Sequence, residues 1–189
     1  MKKLFIILPV LVFSTMAQAG STGHSHQSAY AGQESRDIKS LSARDIAELK
    51  RGGGWGLAKT AELNGVPGPA HLLELKNQIN LDSRQVEKIT RVFKRMRQQA
   101  IQKGEKLISL EASLESHFRD KSITDEILRT SLTAIEETRK ELRYVHLATH
   151  LVTPDILTAD QITRYNELRG YTARSTSASP TKGHGHTKH

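Results

Sequence analysis

The sequence has no cysteine. Disulfide scaffolds, cysteine-ligated zinc sites and cysteine nucleophiles are therefore excluded at the outset. Aromatic residues make up 5% of the 189 positions and hydrophobic residues 37%, below the globular average, so the chain can fill only one modest core. The only long apolar run, Leu4 to Phe13, is too short to span a bilayer. No stretch of useful length alternates apolar and polar residues as a strand does, so the expected fold class is all-α.

The first nineteen residues follow the pattern of a secretory signal. Lys2 and Lys3 form the positive region, Leu4 to Phe13 the apolar one, and Ala17-Gln18-Ala19 a small-x-small cleavage site before Gly20. Cleavage after Ala19 and release into the periplasm is the expectation, without a lipid anchor, since no cysteine follows the site. Basic residues outnumber acidic ones by 28 to 20, and by 26 to 20 once Lys2 and Lys3 are removed. Such a charge attracts membranes, acidic proteins or nucleic acid. Export and the lack of RNP, finger or helix-turn-helix patterns argue against nucleic acid. Residues 20–34 and 172–189 mix Gly, Ser, Thr and His without apolar periodicity and read as disordered ends around a helical domain at 35–171.

Helix starts are legible within that domain. Leu41-Ser42-Ala43-Arg44-Asp45-Ile46, Leu81-Asp82-Ser83-Arg84-Gln85-Val86 and Leu157-Thr158-Ala159-Asp160-Gln161-Ile162 each read as a hydrophobic staple around a capping box. The first helix should stop at Gly52. After Asp82 an apolar stripe from Val86 through Leu114 predicts a helix over 83–118, about 50 Å long. Ser122 or Thr124 should cap a second long helix, with the stripe Leu128, Ile135, Leu142, Val145 and Val152, ended by Thr153-Pro154. The short connection between them implies an antiparallel hairpin. Upstream, Asn64 to Pro69 supplies turns, and Pro69 should open a short helix carrying His71, Leu72, Leu75 and Ile79. An elongated bundle of this kind has little interior, so a homodimer or higher homo-oligomer is expected.

Histidines carry the most suggestive chemistry. His24 and His26 lie in one end segment and His184, His186 and His189 in the other, where His-x-His spacing in a mobile chain suits capture of zinc, copper or nickel. His146 and His150, one helical turn apart on the second long helix, form a two-ligand clamp that needs ligands from another element. His71 and Glu74 on the short helix are the nearest candidates. The plainer alternative is a pair of half-exposed histidines beside Leu142 and Val145. Gly53 to Thr60 misses the phosphate-loop pattern by Ala58 and reads as a glycine hinge holding Trp55. Ser116 and His117 point apart on a helix, and the carboxylates look scattered over solvated faces, so no catalytic site and no required cofactor are expected.

The two L-[TD]-x-x-Q boxes, Leu81 to Gln85 and Leu157 to Gln161, bracket a helical pair in a basic chain with an export signal. This pattern resembles the LTxxQ group of periplasmic stress proteins, which includes the Spy and CpxP chaperones, the zinc-associated ZraP proteins and CnrX-type heavy-metal sensors. Asp82 departs from the group's Thr but still caps a helix. The resemblance covers about residues 35–171 and implies a four-helix dimeric cradle acting as an ATP-independent chaperone for unfolding envelope proteins. Arg91, Lys94, Arg95, Arg97 and Lys103 would supply the charge toward clients, and Ile101, Ile108, Leu147 and Leu151 the apolar surface. The competing reading is a metal buffer or a sensor with an inner-membrane partner, with His146, His150, His71 and Glu74 as its folded site. A purely structural envelope protein is the third.

Overall fold

The computed structural model describes residues 28–171. The signal-like segment, His24, His26, His184, His186 and His189 lie outside the described residues. Ser28–Glu34 is a unit by itself, turned by bonds from Ala31 N–H to Ser28 O and Gln33 N–H to Tyr30 O, each 3.0 Å. Among the described residues from Ser35 onward the regular structure is entirely helical: α1 Ala43–Lys50, α2 Lys59–Leu63, α3 Pro69–Glu74, α4 Ser83–Arg119, α5 Asp125–Val152, a 3₁₀ turn Pro154–Ile156 and α6 Ala159–Arg169. No described helix is long and apolar enough to cross a membrane.

The helices start where capping chemistry puts them. Ser42 and Asp45, Asp82 and Gln85, and Thr158 and Gln161 all form reciprocal capping boxes. Each box satisfies donors that the first helical turn would otherwise leave open. Thr124, rather than Ser122, caps α5, accepting from Ile127 N–H at 3.2 Å. Ser122 instead closes the end of α4, where its N–H donates to His117 O at 3.0 Å and its Oγ lies 3.0 Å from His117 Nδ1.

Helix ends share one device as well. At Gly52-Gly53 and at Gly170-Tyr171 a left-handed residue is followed by an N–H that reaches back to the carbonyl five residues earlier, Glu48 and Asn166 respectively. The same closure recurs at Asn80-Leu81 and Lys121-Ser122, with positive φ at Asn80 and Lys121, where no glycine marks the stop. α3 ends at Glu74, so Leu75 and Ile79 fall in the turn after it rather than on the helix. Ile79 is buried all the same.

α4 covers about 55 Å at the usual helical rise. Across it Met96 meets Thr149, Lys103 pairs with Glu141, and Arg139 pairs with Glu111 at 2.9 Å. One number rises as the other falls, so α4 and α5 run antiparallel. α1 crosses α4 at Gly104, where a Cβ would stand 2.5 Å from the Leu49 carbonyl oxygen. Around that crossing Ile38, Leu41, Leu49, Ala100, Leu107, Ile135 and Leu142 form the larger core. Glu111 is buried beside it, contrary to the expectation that the carboxylates lie on solvated faces. Arg139 and Ser40 satisfy its two oxygens at 2.9 and 2.8 Å. Trp55 packs here too, its indole N–H on Asp45 at 2.8 Å and the Arg139 guanidinium 5.4 Å from its ring centre.

The second core, Leu72, Ile79, Ile89 and Tyr165, lies where α3, α4 and α6 meet. It is organised by the two capping glutamines. Gln85 Nε2 donates to Gln161 Oε1 at 2.8 Å, and Gln161 Nε2 returns a bond to Gln85 Oε1 at 2.9 Å. The remaining protons reach Ile156 O at 2.8 Å and Asn80 O at 3.1 Å.

Breaking this amide pair from one side takes one bond from each end of the partner's amide and opens the capping box of the replaced residue. Gln161→Leu and Gln85→Leu are each expected to cost about 1–3 kcal/mol. The double variant should lose less than the sum of the two by at least about 0.5 kcal/mol in urea denaturation, and strict additivity would refute the coupling. Tyr165 makes a separate prediction. Its phenol is fully buried, and burial first, then the charge of Glu62, pushes its pKa up to about 12 from 10.0. Below pH 10 both folded and unfolded forms keep the proton. Above it the unfolded chain ionises first, so roughly 2–3 kcal/mol should be lost between pH 10 and 12. Tyr165→Phe should flatten that part of the stability profile measured by denaturant titration.

Candidate metal centre

Three segments converge on a cavity of about 410 Å³. α5 contributes His146 and His150, which share a face at i, i+4 spacing. α2 and α3 contribute Glu62 and His71, and the reversal between them, from Asn64 to Gly68, brings these two side chains together. Met96 of α4 closes one wall. Arg51 and Arg97 line another, with Arg97 Nε donating to Arg51 O at 3.1 Å.

The histidines on α5 are buried rather than half-exposed: each retains 4% of its accessible surface. His146 Nε2 is buried without a hydrogen-bond partner. Burial, together with the neighbouring His150, lowers the His146 pKa below its ordinary value and favours the neutral, lone-pair-bearing ring. His150 Nδ1 lies 2.9 Å from Val66 O. A carbonyl only accepts, so Nδ1 carries a proton, and in the neutral ring the lone pair is on Nε2. The His150 ring packs directly on Gly68: a Cβ there would stand 2.7 Å from its Cε1 and 2.9 Å from its Nε2, with Glu62 Oε1 3.4 Å away on the same side, so only glycine lets the imidazole and the carboxylate approach this turn so closely.

His71 completes the arrangement. Its Nδ1 lies 2.7 Å from Glu74 Oε2, and its Nε2 lies 3.5 Å from Glu62 Oε1. With the Nδ1 proton given to Glu74, a neutral His71 turns a lone pair toward a carboxylate oxygen. Two acceptors so placed call for a cation between them, either a proton on the ring or a metal ion. Glu74 is 66% exposed and orients His71 from behind, as the outer carboxylate of a carboxylate–histidine pair does. No three His, Asp or Glu side chains among the described residues stand close enough together to hold an ion in their present rotamers.

The expected set of His71, Glu74, His146 and His150 thus shares one cavity, with Glu74 on its rim. Sequence reading placed no ligand opposite His146 and His150 on α4. The structure puts the Met96 thioether on that wall and brings Glu62 from α2. Glu62 carries no spacing motif with the histidines. Its only signal is the turn from Asn64 to Gly68, which brings Glu62 to 3.5 Å from His71.

The residues expected to face clients divide. Lys94, Arg95 and Leu151 are exposed, Leu151 at 75%. Arg91 is exposed but paired with Glu87, and Lys103 is paired with Glu141. Arg97 lines the cavity. Ile108 packs on the larger core, Ile101 sits against Gly52, and Leu147 is half-buried in a shallow groove with Arg143 and Tyr144. The structure does not gather the nine into one face.

Comparison of the chain with family models, curated proteins and solved structures finds no match.

Proposed function

We propose that this protein is an exported, non-enzymatic binder of a late first-row divalent cation, zinc above all, held by the imidazoles of His71, His146 and His150. The observation that carries this reading is the buried, unpartnered Nε2 of His146 in a cavity where His150 and His71 already give their Nδ1 protons to Val66 O and Glu74. Orphaned buried nitrogens are costly, and a ligating histidine ordinarily gives its other ring nitrogen to a carbonyl or carboxylate. Imidazole suits zinc, copper and nickel, and the cavity has no thiolate to select softer ions. Closing the site requires His71, on the six-residue α3, and the α5 imidazoles to move together.

The paired L-[TD]-x-x-Q boxes, the export-like leader and the histidine-bearing ends fit the LTxxQ group. We read the long antiparallel pair accordingly, as part of a Spy/CpxP-like four-helix architecture completed by a second copy in the periplasm. The ends would collect ions that the folded site retains, as in a metal buffer or resistance protein. Zinc titration of the full chain by calorimetry tests the site. The wild-type protein should bind one more tight equivalent than His146→Ala/His150→Ala, with circular dichroism confirming that the variant is helical. Equal stoichiometry in the two proteins would refute the reading.

A second reading, holding of unfolded envelope proteins, is favoured by one observation. Between α4 and α5 runs a groove lined by Val92, Arg95, Ala148 and Val152, with Tyr144 69% and Val152 45% exposed at its edge. Apolar surface beside cations suits loosely held acidic and apolar segments. Stoichiometric protein should suppress aggregation of a denatured model client, and Tyr144→Ser/Leu151→Ser should lose at least half of that protection. An unchanged aggregation curve with the wild-type protein would remove this reading.

A further inference from the structure

We propose that Glu62 is the fourth metal ligand, and that Arg169 and Tyr171 at the end of α6 are positioning residues that hold it for this task. The inference rests on the metal-binding reading above and adds to it the coordination number and the anchor.

The two oxygens of Glu62 face different surroundings. Oε1 lies 3.5 Å from His71 Nε2 and, like His150 Nε2, lies close against Gly68, whose missing Cβ would stand 3.4 Å from the one and 2.9 Å from the other. Oε2 accepts from Tyr171 Oη at 2.9 Å and from Arg169 Nη2 at 3.1 Å. Arg169 also donates to Tyr171 Oη at 2.9 Å, and its guanidinium lies 5.4 Å from the Tyr171 ring centre, so the two donors form one rigid clamp. A carboxylate gripped through one oxygen by two donors presents the other without rotating. That is how outer partners fix a ligating carboxylate.

The clamp exists because of how α6 ends. Gly170 takes a left-handed conformation, and Tyr171 N–H bonds back to Asn166 O at 2.9 Å, which folds the Tyr171 ring over Arg169 toward α2. On the same helix Asn166 Nδ2 donates to Gly65 O at 3.0 Å, fixing the turn that separates Glu62 from His71. The far end of α6 thus sets the position of both.

Three imidazoles and one carboxylate make a closed four-coordinate set with net charge +1 around a divalent ion. A closed set suits retention, whereas catalytic zinc keeps an open position for water or substrate. It also joins α2, α3 and α5 directly, and α6 through Glu62, so occupancy should stiffen a region built from five- and six-residue helices.

Cobalt(II) titration of the full chain, read by visible absorption, tests this. Co²⁺ reports coordination through its d–d bands. The wild-type protein should show the intense bands of a four-coordinate site, absent from His146→Ala/His150→Ala. Glu62→Gln should shift and weaken them and reduce affinity about 10–100-fold, and Tyr171→Phe, which keeps the ring, should reduce affinity about tenfold. In a Glu62→Gln background Tyr171→Phe should have no further effect, which separates positioning from general destabilisation. Arg169→Lys should recover more of the wild-type spectrum than Arg169→Gln. Unchanged bands and affinity in Glu62→Gln or Tyr171→Phe, with wild-type binding intact, would overturn this inference and leave the three-histidine site standing. No bands in the wild-type protein and no zinc binding would overturn both.

Discussion

Two side-chain amides, Gln85 at the start of α4 and Gln161 at the start of α6, hold one another across a separation of 76 residues. Each also closes its own capping box, so one pair of side chains starts two helices and sets their relative position. From this contact α6 runs toward the turn at Gly65. It lays Tyr165 into the smaller core, bonds Asn166 to Gly65 and delivers Arg169 and Tyr171 to Glu62. The histidine-lined cavity is assembled at the far end of the helix that this pair aims.

The division of polar groups between the two cores follows the same economy. In the larger core the buried carboxylate of Glu111 is fully engaged by Arg139 and Ser40, and that region has the character of structure alone. In the cavity polar satisfaction is incomplete: His146 Nε2 has no partner, and His71 Nε2 opposes a carboxylate oxygen. Arg139 Nε beside the larger core and Tyr165 Oη in the smaller one are also buried without a partner, so the cavity is set apart by the kind of groups it gathers, imidazoles and carboxylates, rather than by missing partners alone. The histidine cavity and the exposed apolar groove are separate features that share Met96 as a wall. The cavity lies among α2, α3, α4 and α5, and the exposed apolar groove runs along α4 and α5 at Tyr144 and Val152.

Local chemistry determined the all-helical class and the starts of α1, α4 and α6. Capping boxes, staples and 3.6-residue stripes act within a few residues and need no tertiary partner. The stop at Gly52 was legible for the same reason, while the closure at Lys121 was not, since lysine gives no signal of a positive φ; Asn80, of a type that tolerates it, gave only a weak one. The His146 and His150 pair could be read from helical spacing, and His71 with Glu74 likewise. Their burial, the approach of Glu62 to His71, the packing of the His150 ring on Gly68 and the bonds of Arg169 and Tyr171 to Glu62 belong to the tertiary structure alone. They depend on how a turn at Asn64 to Gly68 and an amide pair 76 residues apart fold three segments together, and contacts between distant segments leave no periodic trace in a single chain.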